Sequence, residues 1–204
     1  MRFVLMLVAG LALTPQEPPP PFPRAGATKL LENDRVVVWD IAWLRQTYPL
    51  HRHPYDMTGV YYESGDRVII SPEGERRSTH TEAWNITFQR VGLTHSEEGS
   101  SDEPLRAVFV EMKQPSLGSL ATGAVEAAFP AGGATQRLDN DRVTVWELDV
   151  SDSATSSSHR HTREMVLVSF DANNRPTARY VERGTVHDRD LPSGSARTFV
   201  FEID

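Results

Sequence analysis

The feature that most limits what this chain can fold into is a duplication. Displaced by 107 residues, Phe22-Pro23 falls on Phe129-Pro130, Gly26-Ala27-Thr28 on Gly133-Ala134-Thr135, and Asn33-Asp34-Arg35-Val36 on Asn140-Asp141-Arg142-Val143. Between residues 22 and 41, 12 of 20 positions are identical, far above chance. A chain built this way folds as two like units, and each unit has fewer than 100 residues in which to make a core.

The repeated segment reads as a turn followed by a strand. Asn-Asp side chains bond to their own backbone and tolerate left-handed conformations. After the turn, Trp39, Ile41 and Trp43 alternate with Val38, Asp40 and Ala42, and Trp146, Leu148 and Val150 alternate with Val145, Glu147 and Asp149. That period of two predicts a strand with one buried face, and core packing accounts for the tryptophans. Further strands are predicted at Thr58–Tyr62, Arg67–Ser71, Ala83–Gln89 and Arg106–Met112, then at Met165–Phe170, Ala178–Val181 and Arg197–Ile203. Turn clusters such as Ser71-Pro72-Glu73-Gly74 and Asp171-Ala172-Asn173-Asn174 separate them. Short strands punctuated in this way predict an all-β sandwich or barrel. Residues 114–128 are rich in Gly, Ala and Ser and read as a linker.

Six of the seven histidines occupy matching places in the two copies. His51-Arg52-His53 shifts onto His159-Arg160-His161, and His95 corresponds to His187, each three residues after a glycine (Gly92, Gly184). Residues i and i+2 of a strand share a face, so each pair places two imidazoles side by side. A third from a neighbouring strand completes a set that can hold one divalent ion with positions left open. The chain has no cysteine, which excludes disulfides, thiolate ligands and Cys nucleophiles. Imidazole and carboxylate donors suit Fe, Mn, Ni, Cu or Zn.

With its His-x-His pairs and later histidines, the chain resembles the cupin superfamily over nearly all of residues 22 to 204. The resemblance implies two tandem cupin-type double-stranded β-helix (jelly-roll) barrels, with units at 22–113 and 129–204. It implies metal ligands at His51, His53 and His95 and at His159, His161 and His187. The family's acidic ligand corresponds to Asp56 and Glu164, which lie three residues after the second histidine rather than four or five. On a regular strand that offset turns a carboxylate to the other face, so the alternative is an outward acid paired with an arginine. The family's Pro-x-Gly before the second-motif histidine is also missing. The activities implied are a metal-dependent oxygenase or isomerase, a non-catalytic binder of a small ligand or metal, or a structural bicupin with vestigial sites. Tyr48, Tyr61, Tyr62 and Glu63 are candidate acid–base groups or pocket walls. A duplicated unit can pair its barrels internally, which allows a monomer beside the homodimer.

Copy one is longer. From His53 to His95 is 42 residues and from His161 to His187 is 26, an excess of 16 around Ser71 to Trp84 that includes Arg76, Arg77 and His80. It reads as a solvated hairpin, or as a lid or substrate contact. Ahead of copy one, Met1-Arg2 and the apolar run Phe3–Leu13 match an export leader over residues 1–12, with cleavage after Ala12. The run is too short to span a membrane. Residues 13–21, with four consecutive prolines, then read as an extended tether, and the destination as periplasmic or extracellular. A formal net charge of −7 lacks the basic footprint of a nucleic-acid binder, which leaves a small molecule as the expected partner.

Overall fold

The structure, a computed structural model, describes residues 16–121, 123–131, 133–149, 158–188 and 193–204. The leader expected at 1–12, and its cleavage point, lie outside these residues. Among the described residues there are sixteen strands and no helix. Copy one supplies β1 (Ala27–Glu32), β2 (Val36–Ala42), β3 (Thr47–Arg52), β4 (Asp56–Glu63), β5 (Gly65–Ile70), β6 (Arg76–Thr81), β7 (Ile86–Gln89), β8 (Thr94–Gly99) and β9 (Arg106–Met112). Copy two supplies β10 (Ala134–Asp139), β11 (Val143–Leu148), β12 (His159–Arg160), β13 (Glu164–Phe170), β14 (Pro176–Val181), β15 (Val186–His187) and β16 (Arg197–Ile203).

The copies share one topology. A five-stranded sheet β1-β2-β9-β4-β7 faces a four-stranded sheet β3-β8-β5-β6, and the second copy repeats it as β10-β11-β16-β13-β14 and β12-β15. All pairings within the sheets are antiparallel. The repeated asparagine makes the turn into the second strand: Asn33 Oδ1 accepts from the amides of Arg35 and Val36, and Asn140 Oδ1 from those of Arg142 and Val143. These side chains take the place of backbone partners in a tight reversal.

The strand after that turn was expected to bury one face, and it buries two. Val36, Val37, Val38 and Trp39 are all buried. Trp39 and Ile41 point into barrel one, against Phe22, Met57 and Phe109. Val36 and Val38 point outward and join Val108 and Val110 in a layer with Val143, Val145, Phe199 and Phe201 of copy two. The outer faces of the two five-stranded sheets therefore make a shared core. At about 1.5–3 kcal/mol for each large apolar side chain buried, this layer is what joins the halves into one body. The strands β1 and β10 escape a pattern reading because they are edge strands with no buried residue and no clean alternation.

The prolines ahead of copy one are not a free tether where they are described. The amide of Arg52 donates to Pro19 O at 2.9 Å, laying the segment along the His-Arg-His strand. The equivalent amide of Arg160 donates to Glu126 O at 2.8 Å, and Ala128 N donates back to Arg160 O. Pro21 stands where Ala128 does and has no N–H, so copy one makes only the first of these bonds.

Candidate metal centre

In each barrel the structure gathers the three matched histidines. His51, His53 and His95 are all buried, and their ring centroids lie 5.2, 4.6 and 5.2 Å apart. His159, His161 and His187 have centroids 5.0, 4.9 and 4.8 Å apart. In each set one ring nitrogen per residue lies within 4.8 Å of the others.

Sheet register and one glycine turn place these rings. His51 pairs directly with His95 across β3 and β8, and His159 with His187 across β12 and β15. The second histidine of each pair is tied to the chain leading to the third. His53 N donates to Leu93 O and Gly92 N to His53 O; His161 N donates to Thr185 O and Gly184 N to His161 O. Gly92 and Gly184 sit at φ of +89° and +88°, a region that suits glycine, which is why a glycine precedes each third histidine by three.

The donor set suits a divalent ion. His51 Nδ1 lies 2.9 Å from Pro49 O, which fixes the proton on Nδ1 and leaves Nε2, buried and without a hydrogen-bond partner, as a lone pair. Gln89 reaches His53 Nδ1 at 2.9 Å and holds that ring. Burial lowers the pKa of His51, and burial together with the neighbouring His95 and His51 pushes His53 down to about 3. These imidazoles are therefore neutral at neutral pH, the form that ligates a metal. In copy two, His161 Nε2 and His187 Nε2 approach to 2.6 Å.

The structure does not bring Asp56 or Glu164 to the triads. Arg142 Nε donates to Asp56 at 2.8 Å, and Arg35 Nε donates to Glu164 at 2.8 Å. Arg35 and Arg142 are equivalent residues of the repeat, so the two pairs are reciprocal and cross between the copies. Asp56 also accepts from Val91 N, and Glu164 from the Tyr180 hydroxyl. Their offset of three from His53 and His161 turns both acids toward the other copy. The tyrosines are engaged elsewhere too. Tyr62 donates to Asp40 on the inter-copy side, and the Tyr48 hydroxyl serves Leu44 N and Ala42 O. Tyr61 accepts from Arg67, and Glu63 is exposed and accepts from Asn174.

The group that sequence reasoning missed is Glu97. It is 3% exposed, sits two residues after His95 on the same face, and comes within 3.6 Å of His95 Nε2. Arg24 and Arg67 donate to it at 2.7 and 2.8 Å, and Trp43 Nε1 at 3.0 Å. Burial raises its pKa, but His95 and the two guanidinium charges outweigh that and hold it well below the usual carboxylate range. The excess read around Ser71 to Trp84 is β6 and its flanking turns, and it pairs with β5, which carries Arg67. β5 pairs with β8 and sends a charge into the barrel, while β6 is the exposed edge. His80, the unmatched histidine, is exposed on β6 and paired with Asp66.

Two cavities reach triad one. One of about 1000 Å³ runs between β1 and the proline segment to His53, lined by Trp39, Arg52 and Glu111. Another of about 510 Å³ opens between β7 and the β5–β6 hairpin onto His95, Gln89 and Glu97.

No protein-family profile matches the sequence, and no curated protein matches it. Solved structures do. The chain is similar to AerE from Microcystis aeruginosa, with 11% identity, a TM-score of 0.57, and 92% of this chain aligned to 96% of that one. It is also similar to a cupin 2 conserved barrel domain protein from Leptotrichia buccalis, with 8% identity, a TM-score of 0.47, and 94% of this chain aligned to 92% of that one. A cupin domain from Bordetella pertussis aligns over its whole length with 49% of this chain, at 22% identity and a TM-score of 0.40. At these identities the likeness is one of fold. The molecule is an all-β protein of two barrels, each with an inward triad of histidines. Over nearly all of its length the chain shares the fold of AerE.

Proposed function

We propose that this is an exported two-barrel protein in which each histidine triad holds one divalent transition-metal ion and presents it to a small molecule. The observation that carries the reading is the convergence of three imidazoles in each barrel, all buried in barrel one and two of them buried in barrel two, with His51 Nε2 left without a partner. A buried polar atom of that kind carries a desolvation cost that ligation removes. His51, His53 and His95 would hold one ion, and His159, His161 and His187 the other. Fe, Mn, Ni, Cu and Zn all suit three imidazoles. A bound ion would supply Lewis-acid polarisation to a ligand oxygen. The protein's own part is to hold the rings through Pro49 and Gln89 and to exclude water with the aromatic interior of barrel one.

Oxygenase or isomerase chemistry is one form of this reading and non-catalytic binding is the other. One observation supports the second: Asp56, Glu164, Tyr48, Tyr62 and Glu63 all bond away from the triads, and Glu97, the carboxylate beside triad one, is held by Arg24 and Arg67. Export rests on the leader pattern of residues 1–12. The proposed units run from 22 to 113 and from 129 to 204. The shared apolar layer between the halves supports a monomer that carries its own barrel pair. No helix among the described residues is long and apolar enough to cross a membrane.

The test is metal content of the purified mature protein after loading at neutral pH. Two equivalents are expected, with one lost in His53→Ala and the other in His161→Ala. A protein that holds no metal would end this reading.

A further inference from the structure

We propose that barrel one takes a small organic anion with an apolar body, entering between β7 and the β5–β6 hairpin, with Arg77 as the charge that receives its carboxylate. This deepens the reading above by naming the class of ligand, but its own argument stands on the hairpin rather than on the metal.

The register aims Arg77 at the cavity. Directly opposed residues in an antiparallel sheet share a face. Tyr48 opposes Glu97, Glu97 opposes Ile69, and Ile69 opposes Arg77. One row therefore runs across all four strands on the inner face, from the barrel interior to Arg77 at the rim. Arg77, Ile69, His95 and Glu97 line the same cavity of about 510 Å³, a volume within the range of small-molecule sites.

The charges in the cavity are spoken for, except at the rim. Arg67 is bound to Glu97, and Arg76 makes a two-pronged pair with Glu98. Arg77 has no hydrogen bond or ion pair among the described residues. The acid on the same rim is Glu75, which lines the cavity but makes no ion pair with Arg77. Deeper in, Glu97 is bound by two arginines, Arg24 and Arg67, which leaves one positive charge in excess. The walls between rim and triad include Ile69, Phe88 and Leu93. A guanidinium at the mouth, an apolar wall and a positive interior suit a carboxylate on a flat hydrocarbon body. Among the described residues copy two has no counterpart to this hairpin, so the site is assigned to copy one.

The test is titration of the full mature chain with 2-naphthoate and with its neutral isostere 2-naphthamide, read by ligand fluorescence, with metal content measured in parallel. One naphthoate per chain is expected. The amide should bind about tenfold or more weakly, as loss of a charge-assisted pair predicts. Arg77→Gln should weaken naphthoate by about the same factor and leave the amide unchanged, while Glu75→Gln should tighten naphthoate severalfold. Both residues are exposed, and the melting curve checks that each variant is folded. Failure of naphthoate to bind, equal binding of acid and amide, or no effect of Arg77→Gln each overturns the proposal. If metal binds and naphthoate ignores Arg77, only this inference falls. If naphthoate depends on Arg77 and no metal binds, the inference stands and the metal reading falls.

Discussion

Barrel one and barrel two carry the same triad on different supports. Both fix the second histidine with a glycine turn, and both stack a phenylalanine on a tryptophan, Phe22 on Trp39 at 5.1 Å and Phe129 on Trp146 at 5.5 Å. They part at the second sheet, which among the described residues has four strands in barrel one and two in barrel two. The two extra strands bring in Arg67, and with it the buried cluster of Glu97, Arg24 and Trp43. In copy two, Ala131 stands in place of Arg24, Ser169 in place of Tyr61, and Arg189 two residues after His187 in place of Glu97. Duplication thus kept the imidazoles in both halves and built a charged wall beside them in one. Among the described residues, barrel one carries the added strands and barrel two the shared minimum.

The sharpest way to break this contrast is to remove Glu97. Arg24 and Arg67 would then be left buried without their counter-charge, with side chains 9% and 16% exposed. Removing one partner of a buried ionic cluster costs about 3–5 kcal/mol. Glu97→Ala should lower stability by that amount in urea unfolding and release metal from triad one while triad two keeps its equivalent. A loss below about 1 kcal/mol would mean that the cluster is solvated and that the barrels differ less than their geometry suggests.

The next test addresses what the halves share. Arg35→Ala leaves Glu164 with only the Tyr180 hydroxyl, and Arg142→Ala leaves Asp56 with Val91 N and a looser ion pair to Arg90 at 3.7 Å, the two acid side chains being 8% and 12% exposed. Each change should cost about 1.5–3 kcal/mol, with Arg142→Ala toward the lower end because Arg90 still faces Asp56. Both should destabilise the whole chain in a single transition, since they sit beside the apolar layer that joins the barrels. Two separated transitions would show that the halves melt as independent units.

Much of this arrangement was legible before any coordinates. The duplication and the six histidines stand in plain sequence. Parity left open whether Asp56 and Glu164 would join the triads or face away beside an arginine, and the structure turns them away onto Arg142 and Arg35. Glu97 had a signal too, since it lies two residues beyond His95 and so shares its face. What no local pattern could supply is the cross-strand register that carries Arg67 from the added hairpin onto Glu97. That pairing depends on which strand β5 joins. For the same reason β2 was expected to bury one face: its second buried face exists only because another sheet covers it. The prolines of residues 18–21 read as a tether because nothing local shows that the amide of Arg52 bonds to Pro19.

The smallest effect compares a matched pair. Trp39 Nε1 donates to Glu111 and Trp146 Nε1 to Glu202, each at 2.8 Å, and all four side chains are buried. Burial raises the pKa of both carboxyls, against the opposing hydrogen bond from each indole. A raised folded pKa means that the folded state holds the proton more tightly than the unfolded state. Each glutamate therefore favours folding below its unfolded pKa, and that contribution is lost as pH rises through the folded value. The indole bond matters most once the carboxylate has ionised, because hydrogen bonds to charged groups are the stronger ones. Trp39→Phe and Trp146→Phe should each cost about 1–2 kcal/mol at pH 7 and less at pH 4, measured against the unsubstituted chain at the same pH. The surroundings differ, with Lys113 beside Glu111 and Arg163 and His161 beside Glu202. Equal pH slopes for the two variants would show that the Trp–Glu pair behaves alike in both barrels. A steeper slope in one would place a functional asymmetry on the five-stranded sheets, which the backbone duplicates faithfully, as well as on the added hairpin.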